Sequence, residues 1–490
     1  MRRQPTVVVL VGDCLRAADA TDALLPFAHD LADVRFERCY APSTWTLPAH
    51  ASLYAGRTPA EHGVTRRGDA LTDATLPERA RQGGYTTALF SENPTFSTHY
   101  GFDRGIDYVD DFVDSKLVRS DFAMENHVRE PSLRDGLRLL RDVARSSAPA
   151  KNLLNALYGP LAYASLGSST EYPHHGDRVL SHLGSFLRER EGDGSPSLSL
   201  VNLLDPHNPH HAPPDAGAML TGLSLPDDER RALGAANDNK RYLLERGDDL
   251  PRAARSHFDS WEAVLARRHD VYRAQVRGTD RFVEAWAAAN ETAVEEALVV
   301  VTGDHGQLFG AEGMVGHHTS LHPHGVQVPL LVSFPDSWAA SEASVSEPVG
   351  WLGLSAALCG VVSGEVDSGE AFVERVREAS RTAAGVPILA DGPTWNVSEL
   401  RPRFDDDLVD RLCVRKVGFV EGDRQVVYSS PWESEAVERT EYRLADGTRE
   451  EVESAAVGTP SVPFADWLVE RQRDDGEAVV SDRLKQLGYL

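Results

Sequence analysis

The chain has 490 residues, 41% of them hydrophobic, enough to bury one large core or two moderate ones. Its formal net charge is −25, and lysine occurs only five times, so 45 of the 50 basic residues are arginine. That balance argues against nucleic acid as a partner, because a phosphate backbone attracts an excess of Lys and Arg, and a solvated acidic surface of this kind suits a high-salt cytoplasm.

From the start, MRRQPTVVVLVGD has a basic tip and a short apolar run that Asp13 interrupts, with no small-x-small cleavage site after it. It reads as a first strand over 6–12 rather than a signal peptide. No apolar run approaches the length of a membrane span, so the expected location is the cytoplasm. A helical segment at 20–32 and a strand at 34–41 follow. Pro48 then opens a helix that runs through Ala55, since Pro is well tolerated at the first helical position. Next come a helix at 76–83 and a strand at 85–90. The stretch 110–170 is Arg- and Leu-rich and reads as a helical insertion.

A helix at 177–190 precedes a strand at 197–204. Residues 212–262, rich in Pro and charge, form a second excursion. A helix at 266–293, a strand at 297–302, a His-rich loop at 317–324 and a strand at 328–334 complete the run. Strand and helix alternate, which predicts an α/β fold: a doubly wound, mostly parallel sheet covered on both faces. The tail differs. Residues 414–447 alternate as strands with an Ala-Asp-Gly turn, followed by helices at 463–472 and 481–487. The expected division is a catalytic domain over 1–394 and a small C-terminal α+β subdomain over 395–490.

The strands at 6–12 and 297–302 are both short β-branched runs that end at Gly-Asp, about 290 residues apart. Open α/β sheets bind ligands where such strands end. Asp13, Asp304 and His305 are therefore expected to meet at one crevice, where two carboxylates and an imidazole make a metal site. The hydroxyl of Thr46 sits just before the helix opened by Pro48, and free N–H groups at a helix start favour an ionised nucleophile. A neighbouring divalent cation would lower its pKa further. Ser43 and Thr44 compete for that role. Asp205 and Asp280 read as structural, although either could supply a further carboxylate to the site. The four cysteines (14, 39, 359, 413) have no CxxC spacing, so a disulfide framework or structural zinc is not expected.

Taken in order, these motifs resemble the sulfatase family of the alkaline phosphatase superfamily. The family's VDDLRxD start corresponds to Val11-Gly12-Asp13-Cys14-Leu15-Arg16 with Asp19 following. Its Cys/Ser-x-Pro-x-Arg and A-x-L-x-T-G correspond to Thr46-Leu47-Pro48-Ala49-His50 and Ala51-Ser52-Leu53-Tyr54-Ala55-Gly56, closed by Pro59-Ala60-Glu61-His62-Gly63. Pro206-His207-Asn208-Pro209 matches P-H-x-P, and Thr302-Gly303-Asp304-His305-Gly306-Gln307 matches T-x-D-H-G-E. Gly316-His317 and Val328-Pro329-Leu330-Leu331 follow as in the family.

The resemblance implies that Asp13, Asp304 and His305, with Thr46, hold one divalent ion (Mn, Mg, Ca or Zn). Thr46 would be the nucleophile, and His207 and His317 would contact the ester oxygens or protonate the leaving group. Asn93 falls where relatives place a substrate-contacting loop, and His50 is a candidate substrate or supporting residue. His210 and His211 compete with His207, and His318, His322 and His324 with His317.

Three departures stand out. Thr46 occupies the position that sulfatases oxidise to formylglycine, which threonine cannot form. His50 replaces the motif Arg, and Cys14 replaces the second Asp, which shifts the metal preference toward Mn or Zn. Gln307 for Glu is a smaller change. The implied function is a metal-dependent hydrolase of a small anionic phosphate or sulfate ester through a covalent Thr46 intermediate, the phospho-ester being favoured. The alternatives are a phospho-group transferase to a glycan or lipid-headgroup alcohol and a non-catalytic binding module.

Overall fold

The computed structural model describes residues 4–111, 176–190, 194–208, 225–237, 254–317, 319–393, 406–445, 447–458 and 460–470, with isolated residues such as His210 between them. The insertion expected at 110–170 and the helix expected at 481–487 lie outside them, apart from isolated positions in the former. Of the excursion at 212–262, a helix at Asp227–Asn237 is described.

The large sheet has nine strands: β1 (Thr6–Gly12), β2 (Val34–Tyr40), β3 (Thr86–Ser91), β4 (Tyr108–Asp111), β5 (Ser197–Leu203), β6 (Ala297–Gly303), β7 (Gln327–Ser333), β8 (Ser344–Val345) and β9 (Val349–Gly350). Their order is β4-β3-β5-β1-β6-β7-β2-β8, with β9 also on β2. The central strands are buried on both faces, as their β-branched sequences require. Side chains alternate across the sheet. Val7, Val9 and Val11 of β1 pack with α2 (Thr46–Ala55), α3 (Leu76–Gln82), α6 (Trp351–Ser363) and α7 (Gly369–Ala379). Val8 and Leu10 pack with α1 (Pro26–Leu31), α4 (Gly176–Arg190) and α5 (Trp261–Ala289) on the other face.

The sheet is mostly parallel, but β7 is antiparallel to both β6 and β2. Residues 304–326 hold no crossover helix, and a strand reached without a crossover must run back antiparallel. That reversal keeps the described part of the His-rich loop near the carboxyl end of β6, where the His305 and His317 rings are 4.3 Å apart. Helix α2 starts at Thr46, two residues before the Pro48 signal; the extended residue Trp45 is its N-cap. Pro48 is accommodated in the first turn, where backbone N–H groups have no intrahelical partner. Helix α5 starts at Trp261 rather than 266, because Ser260 caps it by accepting from the Ala263 N–H. On α5, Asp280 accepts from the N–H groups of Phe27 (3.1 Å) and Ala28 (2.9 Å), so it holds the start of α1.

A second sheet is wholly antiparallel, in the order β10 (Val386–Asp391), β11 (Val414–Glu421), β12 (Arg424–Pro431), β13 (Val437–Ala445) and β14 (Thr448–Val457). Its first strand begins upstream of residue 395. It leans on the loop that precedes α2: Ser43 Oγ donates to Leu389 O (2.8 Å) and Leu389 N–H to Pro42 O (2.9 Å). The seam centres on Asp391. Its carboxylate accepts from Arg415 Nε (3.0 Å) and Nη2 (3.3 Å), Thr65 Oγ1 (2.9 Å), Trp432 Nε1 (3.2 Å) and Arg66 Nη2 (3.3 Å). Arg415 is buried, and among the described residues Asp391→Ala leaves its charge only the exposed carboxylate of Glu470, 3.7 Å away. The expected cost is about 3–5 kcal/mol, read as a lowered urea midpoint.

Candidate active site

Four strand ends build one crevice. In the register, Gly12 of β1 sits opposite Leu203 of β5 and Gly303 of β6, and Ser91 of β3 opposite Asn202 of β5. The residues just past or at these ends are Asp13, Asp304, Asn93 and Asn202, and each is at most 1% exposed. Thr46 arrives from the first turn of α2. Its Oγ1 is 3.5 Å from Asp13 Oδ2 and 3.2 Å from His305 Nε2. His305 Nε2 is in turn 3.7 Å from Asp13 Oδ1 and 3.4 Å from Asp304 Oδ2. The Asn93 amide donates to Asp13 Oδ2 (2.5 Å) and to Thr46 Oγ1 (3.3 Å), and the Asn202 amide donates to Asp13 Oδ2 (3.4 Å). The structure thus brings Asp13, Thr46, Asn93, Asp304 and His305 together.

His207 and His317 lie at the same crevice. The His305 and His317 rings are 4.3 Å apart and the His207 and His317 rings 5.4 Å. Gln307 links His317 to a further histidine: its Oε1 is 3.2 Å from His317 Nδ1 and its Nε2 3.4 Å from His210 Nε2. His210 Nδ1 continues to Gln275 Oε1 (3.0 Å). His50 does not face the crevice as a substrate contact. Its ring is fully buried among Phe96, Phe102 and Trp351, with Nδ1 donating to Thr46 O (3.0 Å) and lying 3.8 Å from Asp304 Oδ2. An i to i−4 bond from a helix interior makes it a prop under Thr46 and Asp304. Asn202 and Gln307 carry more of the site than the sequence reading assigned them. The signal for Asn202 is a lone amide in the otherwise apolar end of β5.

Cys14 occupies the tight turn after β1 with φ 61, a left-handed conformation costly for a side chain with a Cβ. Two bonds hold it there: its N–H donates to Asp304 Oδ1 (3.1 Å), and its carbonyl accepts from Tyr272 Oη (2.8 Å). Glycines flank Asp304-His305 for steric reasons. A Cβ on Gly303 would fall 2.2 Å from Leu15 O, and one on Gly306 would fall 2.0 Å from His324 O. Gly306→Ala must therefore push the His-rich loop away from His305. We expect a loss of about 1–3 kcal/mol in thermal stability, with weaker metal binding in the same variant.

The charges are matched to a cation. Burial would raise the Asp13 carboxyl, but His207, His305, the Asn93 amide and His50 outweigh it and hold Asp13 below the usual carboxylate range. Asp304 is pushed well up by burial and by the negative charge of Asp13. Burial drives His305 down to about 4, His50 to about 4, and His207 also downward, so the imidazoles are neutral with lone pairs to give. Two buried carboxylates that repel each other, with a neutral imidazole 3.4 Å from one and 3.7 Å from the other, fit a divalent ion.

The family described as Sulfatase matches residues 5–358. Among solved structures, the chain is similar to the phosphonate monoester hydrolase of Agrobacterium radiobacter (16% identity, 90% of this chain and 89% of that one, TM-score 0.58). It is also similar to the phosphonate monoester hydrolase SpPMH of Silicibacter pomeroyi (15% identity, 90% and 89%, TM-score 0.57). A third is BT4656, solved with its substrate D-glucosamine-2-N,6-O-disulfate (14% identity, 90% and 91%, TM-score 0.57). Identities this low establish a shared fold. No curated protein matches the sequence. Among the described residues, no helix is long and apolar enough to cross a membrane.

Proposed function

Because this chain belongs to the sulfatase family of hydrolases, we propose that it cleaves a small phosphoric or sulfuric ester through a covalent ester on Thr46. The observation that supports this most is the Thr46 hydroxyl, 3.5 Å from Asp13 and 3.2 Å from His305, at the start of α2. Asp13, Asp304 and His305, with Thr46, would hold a divalent ion, which supplies charge neutralisation and a lower hydroxyl pKa when bound. Thr46 would lose its hydroxyl proton to solvent, its Oγ1 attacks phosphorus or sulfur, the bond to the alcohol oxygen breaks, and His207 or His317, protonated from solvent, gives that oxygen its proton. Water cleaves the Thr46 ester in the second half-reaction and regenerates the hydroxyl. Asn93 orients both Thr46 and Asp13, and His50 holds the first turn of α2 from below.

Threonine cannot be oxidised to an aldehyde, so the phospho-ester is the favoured substrate class, and two of the similar structures are phosphonate monoester hydrolases. The test is a screen of aryl phosphate, phosphodiester, phosphonate and sulfate esters against Mn, Mg, Ca and Zn in low and molar salt. Turnover of the phosphorus esters above the sulfate ester supports the reading; turnover of the sulfate ester alone overturns the preference. Adding an alcohol acceptor separates the two fates of the intermediate. Release of the free anion alone means hydrolysis, and an acceptor ester means transfer.

A further inference from the structure

A second donor cluster lies beside the first, and its Cys14 is also within ligand reach of Asp13 and His305. Cys14 Sγ, one ring nitrogen of His207 and one of His317 all lie within 4.8 Å of one another, and all three residues are buried. We propose that Cys14, His207 and His317 bind a second divalent cation, of the zinc class, next to the ion assigned above to Asp13, Asp304 and His305. The inference rests on that assignment of the first site.

The donor chemistry differs between the two. Thiolate with two imidazoles selects zinc or cobalt over magnesium and calcium, whereas carboxylates suit the harder ions. Three protein donors on a tetrahedral ion leave a fourth position open toward the crevice. The geometry agrees: Zn–S of about 2.3 Å and Zn–N of about 2.05 Å at a tetrahedral angle place the two donors about 3.6 Å apart. Cys14 Sγ and His317 Nδ1 are separated by 3.6 Å. His207 Nδ1 lies 2.5 Å from Asn208 O, the bond expected of a histidine that ligates through Nε2. Metal-bound histidines characteristically give their other N–H to such a carbonyl. The left-handed turn at Cys14, held by Asp304 and Tyr272, sets Sγ 3.6 Å from His317 Nδ1 and 3.4 Å from Asp13 Oδ1.

Loading displaces the Cys14 thiol proton to solvent and moves the His317 proton from Nδ1 to Nε2, with the Gln307 carbonyl turning aside from Nδ1. With both rings held as neutral ligands, the charge of the second ion would take over from the proton that His207 or His317 otherwise gives the departing oxygen.

The experiment strips the full-length protein with chelator, reloads it with Co²⁺, and reads metal content and the near-ultraviolet thiolate-to-cobalt band. The wild type is expected to bind about two cobalt ions per chain and to show the band. Cys14→Ala, His207→Ala and His317→Ala should each lower the content to about one ion and abolish or shift the band, with circular dichroism verifying the fold. Asp304→Asn should also lose about one ion yet keep the band. A wild type holding one ion and no band overturns this inference and leaves the first site standing. One ion with a band that disappears in His305→Ala but survives His317→Ala places Cys14 in the first site and also overturns it. No bound cobalt overturns both readings.

Discussion

Thr46→Ala is expected to lower kcat by roughly four orders of magnitude or more, about 5 kcal/mol of transition-state stabilisation, while metal content falls little. Removal of a nucleophile eliminates the covalent route outright, and only binding and charge stabilisation remain. The hydroxyl is one of several groups around the ion site, beside Asp13, Asp304 and His305, so its loss spares most of the donor set. The Ser43 hydroxyl cannot substitute: its Oγ is committed to Leu389 O (2.8 Å), in the seam with the second sheet. Thr46→Ser keeps the nucleophile and should retain most of the activity. Steady-state kinetics on an aryl phosphate, run beside elemental analysis of the same samples, checks both halves. Full activity in Thr46→Ala would remove Thr46 from the chemistry.

The second large effect is expected at Asp304. Asp304→Asn preserves shape and removes one negative charge from a fully buried pair. Loss of a residue that merely supports a ligand already costs about 10–100-fold in metal affinity, so loss of a ligand should cost at least about 100-fold. Asp304 also accepts from the Cys14 N–H, and an asparagine oxygen can keep that bond, so the turn after β1 should survive. The expected pattern is a protein that unfolds at a temperature close to the chelator-treated wild type, no longer gains stability from added metal, and loses activity. A variant that still gains the wild-type thermal increment from metal would exclude Asp304 as a ligand, since stabilisation by a bound ion follows its affinity.

The site was legible where the fold forces a sequence to be simple. A strand buried on both faces must be a β-branched run, and its end in an open sheet is where ligands sit, so the runs at 6–12 and 297–302 pointed to the core and to Asp13, Asp304 and His305 as the candidate site. Pairing direction leaves no such mark. The sequence of β7 reads the same parallel or antiparallel, and the reversal goes with a link over 304–326 that carries no crossover helix among its described residues. The start of α2 was misplaced because Pro48 is the loudest signal there, while Trp45 caps through backbone geometry alone. Strands β4 and β10 were missed for local reasons: β4 is four residues with two acidic, and Pro387 interrupts β10. Asn93 and His50 were suggested only by resemblance. For His50 the substrate role gave way to a supporting one, because its burial among three aromatic rings depends on residues 96, 102 and 351, which no local pattern connects to it.

The covalent intermediate is the claim on which the chemistry turns. A reaction with a slow aryl ester, quenched in acid and digested, should yield a peptide containing Thr46 that carries one phosphoryl, phosphonyl or sulfuryl group, with fragmentation assigning it to the Thr46 oxygen. An adduct on Ser43 or Thr44, or sustained turnover with no adduct while Thr46→Ala remains fully active, would contradict it.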